Sequence, residues 1–462
     1  MSWTRTASAH LPVTAEEAWR VLSDLTRWPQ WEPAIASVRL DAPLAKGATG
    51  SYSPSSRWVR AVHDRAAPPL RVSGLEEGRH LELTQPSPGG AMRVRWRLTP
   101  LGTGTRLTQT LEVSGPLTPA VAMSMAGVLD RGFTDAAVRL ARLAGATPDP
   151  ALPRVVIAGG SGALGRLLAA RLFGLGHDVR IITRRRDESL PFDQVVWDGR
   201  RVGDWAQVLR SEHSAGVALV NLAGKLVDVR PTETNIAELR RSRVDSTRAL
   251  VAASRGLDRP LVAWLQASTT AIWSDAGEQR VTETTPLPDP GLPQMTGVAR
   301  PWEEATAGAQ TDHLVLLRTS IVLDRHAPAL QILARLTRAG LGGRVGSGRQ
   351  WFSWVHHEDW QRIALAALGL DPQVRVPEGV LVAAAPHPVR NTELMAALRR
   401  RLRRPTAAPP TPAPMLHIGA VALRSDPALA LTGRHCTSAV LADAGFEFVH
   451  PDLDAALAEI YG

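Results

Sequence analysis

Three glycines, Gly159, Gly162 and Gly165, stand three residues apart where an apolar run, VVIAGG, comes to an end. Glycines so placed permit a tight turn, close approach of backbone to a bound group, and close packing of a helix on a strand. Gly160, Ser161, Ala163 and Leu164 fill the intervals, and residues 163 to 174 continue as a helix-like stretch. A strand, a glycine turn and a helix in that order aim the free N–H groups of the helix start at phosphate. Residues 159 to 165 are therefore a candidate cradle for the pyrophosphate of a dinucleotide. The next apolar run, HDVRIIT, ends in Thr183 and is followed by Arg184, Arg185 and Arg186. A site that prefers NAD carries an acidic residue about 20 positions beyond the glycines. Here 184 minus 165 gives 19 positions, and the residue is arginine. A guanidinium matches the extra 2′-phosphate, so the pattern predicts NADP(H) over NAD(H), with Arg184 at the ribose.

Such a loop needs a frame, and residues 154 onward supply one. Strand-like runs recur at 217 to 221, 261 to 267 and 314 to 318, separated by helical stretches such as 235 to 254. Repeated strand–helix units predict α/β architecture: a Rossmann-type, doubly wound parallel sheet with helices on both faces. Its ligands belong at the carboxyl ends of the strands. Upstream, ATPDPALP brings together Pro148, Pro150 and Pro153 directly before the first buried strand. That composition marks residues 148–153 as a linker between a front domain, 1–147, and a second domain, 154–462, whose substrate-side segment begins at about 390. The front domain reads as short strands between Gly and Pro turns, closed by a helix over 117 to 143. Met125, Leu129, Phe133, Ala137, Leu140 and Ala144 recur there near the 3.6 period and form one apolar face.

Composition narrows the partners. With 44% hydrophobic and 21% charged residues, a chain of 462 can bury two ordinary cores. The net charge of +9 rests on arginine, lysine being present only at Lys46 and Lys225, and no nucleic-acid-binding motif accompanies it. The densest tract, Arg399 to Arg404, ends a helix-like stretch starting at Asn391, where cations favour the dipole; no nucleic-acid partner is expected. The apolar runs at 216 to 223 and 379 to 385 fall short of the roughly 20 residues that span a bilayer. No membrane insertion is expected, and the opening MSWTRTASAH resembles no signal peptide, which points to the cytoplasm. A single cysteine, Cys436, excludes an internal disulfide and a Cys-rich metal cluster, and no metal site is expected.

Two resemblances refine this reading. PVTAEEAWRVLSDLTRWPQWEPAI, with Trp19, Asp24, Trp28 and Trp31, followed by the Gly47 to Gly50 turn, resembles the START-like, polyketide-cyclase-like superfamily. That implies an α+β helix-grip domain, an antiparallel sheet around a long C-terminal helix, enclosing an apolar ligand. Trp28 and Trp31 read individually as core aromatics. Asp24, His63, Asp64 and His80 are isolated and form no catalytic dyad. Further on, VVWD ending at Asp198, NLAG at 221 to 224, SRVDSTRAL at 242 to 250, LLRTSIVL at 316 to 323, GLGGRVGSGRQWFSWVHHED at 340 to 359 and GRHCTSAVLADAGFEFVHPDLDAAL follow in order. Together they resemble the atypical extended short-chain dehydrogenase/reductases of the epimerase/dehydratase-like type. The resemblance implies a cofactor lined by the glycine loop, Thr183, Arg184, Leu222, Ala223, Gly224, Glu238, Arg243 and Val322. Asp198 reads either as a contact to the adenine edge or as the cap of the next turn. Glu238 and Arg243 read alternatively as a helix-surface pair.

Catalysis departs from that pattern. The family uses a tyrosine four residues before a lysine, whereas this chain has only Tyr52 and Tyr461. Aligning Trp302 and Glu303 with the family's Trp-Glu pair puts Met295 and Ala299 at the two positions, and neither transfers a proton. Ser268, Thr269 and Thr270 stand near the expected hydroxyl, and His356 is the remaining titratable candidate. On the substrate side, Lys225 replaces the family's glutamate after NLAG, and Arg318 and Trp351 are the other candidates. Two functions fit: an NADP(H)-dependent oxidoreductase or epimerase-like enzyme for a small molecule, or a non-catalytic NADP(H)-binding protein that regulates or senses a ligand.

Overall fold

Alternation in SWTRTASAHL puts successive side chains on opposite faces, and β1 (Ser2–Leu11) shows the matching rhythm of exposure. The computed structural model describes residues 2–57, 60, 68–87, 89–116, 118–210, 214–412 and 426–461, with the backbone alone for 119–131. Leu117, His63, Asp64 and the side chains of Met125 and Leu129 lie outside the described residues. The chain divides into two compact units, the first comprising residues up to Leu152 together with Ala169–Val179 and Asp187–Phe192.

In the front sheet, β1 is joined by β2 (Ile35–Leu40), β3 (Thr49–Pro54), β4 (Leu70–Glu76), β5 (His80–Ser87), β6 (Gly90–Leu101) and β7 (Gly104–Ser114). The seven strands run in the order β1-β7-β6-β5-β4-β3-β2, with every neighbouring pair antiparallel. The closing helix, Thr118–Leu143, packs against β1 and β7, burying Phe133, Ala137 and Leu140. The helix Ala15–Leu22 starts at a capping box in which Thr14 and Glu17 satisfy each other's backbone N–H. Asp24 caps the following turn by accepting from the Thr26 backbone N–H. Trp28 and Trp31 are buried and meet edge to face, and Trp28 meets Trp96 the same way at 4.7 Å. The arrangement is a helix-grip fold with aromatics in its core.

The second sheet consists of β8 (Arg154–Ala158), β9 (Val179–Thr183), β10 (Asp193–Val196), β11 (Val217–Asn221), β12 (Ala263–Thr269), β14 (Leu314–Thr319) and β18 (Gly379–Ala383). Its order is β10-β9-β8-β11-β12-β14-β18, and β10–β9, β8–β11, β11–β12, β12–β14 and β14–β18 each pair in parallel. The chain moves outward from β8 to β10, then returns to place β11 on the other side of β8. That reversal opens a crevice beyond the carboxyl ends of β8 and β11, the switch point where doubly wound sheets bind ligands. The apolar runs are buried on both faces, Val155, Val156, Ile157 and Ala158 completely. The strand expected at 261 to 267 runs instead over Ala263–Thr269, because pairing with β14 continues to Thr269 opposite Thr319. Leu261 contributes only an isolated bridge to Thr311.

Short strands complete this unit: β13 (Arg280–Val281) pairs β20 (His435–Cys436), β15 (Ile321–Leu323) pairs β17 (Trp354–His356), and β16 (Trp351–Phe352) pairs β19 (Val389–Arg390). The C-terminal segment is anchored by Leu394, Met395 and Leu398 packing with Leu453, Leu457 and Ile460. The arginine tract ends the helix Asn391–Arg401, where Arg400 pairs with Asp454 and Arg401 donates to the Ala458 carbonyl. Among the described residues, no helix is long and apolar enough to cross a membrane.

Candidate functional site

The glycine turn leaves β8 and enters the helix Ala163–Gly174. Gly159 has φ +80°, and a Cβ there would lie 2.9 Å from the Leu222 carbonyl and 3.0 Å from the Ala223 nitrogen. At Gly160 a Cβ would meet the Ile181 side chain at 2.8 Å, and at Gly165 it would meet the Gly160 Cα at 2.6 Å. Each close approach has a distinct partner: the loop after β11, the strand β9, and the turn itself. Gly162 and Ala163 are exposed at the helix start, so their face of the turn is open to an anion. The cradle has the shape and the N-terminal dipole that a pyrophosphate requires.

At the end of β9, the buried Thr183 hydroxyl donates to the Arg185 carbonyl at 3.0 Å and lies 3.3 Å from the Ser161 hydroxyl. These contacts tie the arginine turn to the glycine turn. Arg184 is exposed and has no hydrogen-bond or ion-pair partner among the described residues, whereas Arg186 donates to the Gln194 carbonyl. Asp198 accepts from the Arg200 and Arg201 backbone N–H groups at 2.7 and 2.9 Å, and these bonds hold its carboxyl below the usual range. It therefore caps its turn.

Across the crevice, buried Asn221 donates to the Thr247 hydroxyl and the Gln266 side-chain oxygen, and accepts from the Ala223 N–H at 3.1 Å. One side chain thus sets the course of Leu222, Ala223 and Gly224. The motif NLAG carried this residue into view, but its role arises from Thr247 and Gln266 on other elements. Glu238 and Arg243 do not pair with each other, which corrects the reading of them as a surface pair. Glu238 accepts from Lys225 at 2.6 Å, and this bond lowers its pKa. Arg243 is buried, donates to the Lys225 carbonyl at 2.9 Å and lies over the Trp302 ring at 5.0 Å. Burial depresses its pKa to about 10. Five residues of helix separate the two side chains by more than a turn, so they face different neighbours. Val322 is half-buried in β15, opposite Val355.

At the carboxyl end of β12, Ser268 donates to Glu303 at 2.5 Å. Glu303 also accepts from Arg318 Nε at 2.9 Å and Nη2 at 2.8 Å, and all three side chains are buried. The Arg318 guanidinium lies over the Trp273 ring at 4.7 Å. Sequence reasoning treated Glu303 only as an alignment marker and missed that it joins two strand ends. Thr269 accepts from the Ala271 N–H, capping a short turn, and Thr270 is buried. Met295 and Ala299 are buried, Met295 preceding and Ala299 within the helix Thr296–Glu304. Trp351 stacks on His435 at 4.0 Å, lies 4.0 Å from the Arg390 guanidinium and donates to Glu278. His356 is buried, accepts the Glu358 N–H at Nδ1 and therefore donates from Nε2 to Glu459. Its ring packs with those of His450 and His357, and burial, followed by His356 beside it, lowers the pKa of His357.

Comparison with known proteins places this geometry. Residues 155–383 match the NAD dependent epimerase/dehydratase family. Epimerase family protein Mb2239 of Mycobacterium bovis is 30% identical over 312 residues, spanning 66% of this chain and 96% of that protein. The chain belongs to the NAD dependent epimerase/dehydratase family. Among solved structures, human epimerase family protein SDR39U1 (isoform 2) with NADPH is 28% identical, with a TM-score of 0.57 over 67% of this epimerase-family chain and 99% of the human one. The nucleoside-diphosphate sugar epimerase from Corynebacterium glutamicum, 22% identical, shares the fold over 99% of this chain and 90% of its own, with a TM-score of 0.58. Residues 2–145 match the polyketide cyclase / dehydrase and lipid transport family, and residues 411–460 match a domain of unknown function, DUF1731. Because Mb2239 is covered almost end to end by two thirds of the chain, this epimerase-family member carries its front domain in addition to what that relative has.

Proposed function

We propose that residues 154–462 bind NADP(H) in preference to NAD(H) and act on a small molecule at the carboxyl ends of the parallel strands. The observation that carries this reading is Arg184, exposed and unpartnered among the described residues, on a turn tied through Thr183 and Ser161 to the glycine cradle. The NADPH in the human relative supports it. The glycine turn and the N-terminus of Ala163–Gly174 would hold the pyrophosphate, Arg184 the 2′-phosphate, and Leu222, Ala223 and Val322 the apolar walls. When bound, the nicotinamide supplies hydride exchange. The chain's own groups near the strand ends are committed elsewhere: the Ser268 hydroxyl is held by Glu303, and both His356 nitrogens are engaged. Met295 and Ala299 bring no proton to the positions the family gives to tyrosine and lysine. These commitments favour, as a second reading, a non-catalytic module that senses NADP(H) or a ligand.

The test is titration of the full chain with NADPH and NADH. We expect tighter NADPH binding, and Arg184→Ala should weaken it about 10- to 100-fold while leaving NADH nearly unchanged, since a charge-assisted hydrogen bond is worth about 1.5–3 kcal/mol. Equal curves for the two cofactors in the unsubstituted protein would refute the preference.

We also propose that residues 1–147 form the domain that holds an apolar ligand, in keeping with the lipid-transport part of their family description. Native mass spectrometry of the freshly purified full chain should show a hydrophobic adduct that organic extraction removes. No adduct, together with no saturable uptake of a fluorescent fatty acid, would argue against a ligand there.

A further inference from the structure

The helix Pro328–Arg338 is apolar on two sides. Its inner side buries Leu330 and Ala334, and Leu330 shares a core with Leu394 and Leu398 of the helix Asn391–Arg401. Its outer side carries Ile332 and Leu336, four residues apart and therefore one above the other, both exposed. Leu341 follows at the same end, 53% exposed, its N–H donating to the Leu336 carbonyl at 2.9 Å. A surface helix ordinarily sets charged and polar side chains opposite its buried stripe. Apolar residues grouped on the outer side and rimmed by polar ones mark a surface that meets a partner.

The rim is cationic. Each of two stretches, Arg325 to His357 and Leu394 to Pro412, holds five arginines and no aspartate or glutamate. The fold brings the two together: the Arg399 guanidinium donates to the Gly342 carbonyl, next to Leu341, and Thr411 bridges to Val345. Arg335 and Arg338 stand exposed in the last turn of the first helix. At the end of the second, Asp454 pairs with Arg400 at 2.9 Å. Arg403 and Arg404 are exposed, and their side chains have no hydrogen-bond or ion-pair partner among the described residues. Helix dipoles account for cations in the last turns. They account neither for Arg403 and Arg404, beyond the helix end, nor for the exposed leucines.

An apolar centre with a cationic rim is complementary to a bilayer whose headgroups are anionic. The apolar side chains enter the acyl boundary while the guanidinium groups meet the phosphates. Duplex nucleic acid offers phosphate but no apolar layer for Ile332, Leu336 and Leu341 to enter.

We propose that this face docks the protein on an anionic lipid surface, lying on the bilayer without crossing it. The docking is independent of the cofactor reading and of the front domain's ligand.

The experiment is sedimentation of the full chain with vesicles of phosphatidylcholine alone and of phosphatidylcholine mixed equally with phosphatidylglycerol. Binding to the mixed vesicles is expected, weakened by salt, with little binding to phosphatidylcholine. Arg403→Gln with Arg404→Gln should weaken it about tenfold or more, since an arginine near an anionic surface contributes about fivefold. Leu336→Ser with Leu341→Ser leaves every charge in place and should weaken it by about as much. Both pairs alter exposed side chains, and matching unfolding midpoints confirm that the fold is kept. No binding to the mixed vesicles, equal binding to both kinds, or unchanged affinity in either double variant would overturn the proposal. Tighter capture of duplex DNA than of mixed vesicles, lost with the arginines but not with the leucines, would assign the arginines to nucleic acid and overturn it as well.

Discussion

Replacing Glu303 by alanine is expected to destabilise the second domain by about 3–5 kcal/mol, the usual cost of stranding one member of a buried ion pair. Arg318 would remain beneath Trp273 with its charge unopposed, and Ser268 would lose its acceptor. The double substitution Glu303→Met with Arg318→Met should recover most of the loss, because exchanging a whole buried pair for apolar side chains is often neutral or stabilising. Urea unfolding of the two single variants and the double variant measures both effects. If the double variant is as unstable as the sum of the singles, the two side chains act independently and this account of them fails.

Gly165→Val is expected to weaken NADPH binding by at least about 100-fold, the equivalent of two lost charge-assisted hydrogen bonds to phosphate. The added Cβ would fall 2.6 Å from the Gly160 Cα and 2.8 Å from the Gly159 carbonyl oxygen. Both are backbone atoms, so the turn itself must open. Gly162→Ala is the internal comparison, since its Cβ would meet only the Gly159 carbonyl oxygen, at 3.3 Å. It should bind NADPH within a few-fold of the unsubstituted protein. Circular dichroism of each variant separates a misshapen cradle from an unfolded chain, and equal affinity in Gly165→Val would show that the turn does not hold the pyrophosphate.

The contrast between these two sites shows what the sequence could reveal. The glycine cradle is local: turn, strand and helix occupy consecutive residues, and their spacing alone predicts a phosphate site. The parallel sheet was legible for a related reason, because strands buried on both faces are written as unbroken apolar runs. The Ser268–Glu303–Arg318 cluster was not legible, since its members come from two strands and a helix, with Glu303 35 residues from Ser268. Glu238 and Arg243 misled because they share a helix, while the partners that decide their roles, Lys225 and Trp302, belong to a loop and another helix. Arg434 is the extreme case. It meets Met295 across 139 residues, a contact that only the fold reveals.

Cys436 carries a practical consequence. It is the chain's one thiol, fully buried in β20 and held neutral well beyond physiological pH. Maleimides and other thiolate-directed reagents react with accessible, ionised sulfur, and this sulfur is neither. A cysteine introduced at an exposed position such as Leu226, in the loop after β11, would therefore take a fluorophore or spin label selectively, with the native cysteine left in place. The protein comes already suited to single-site spectroscopy of the loop that follows β11.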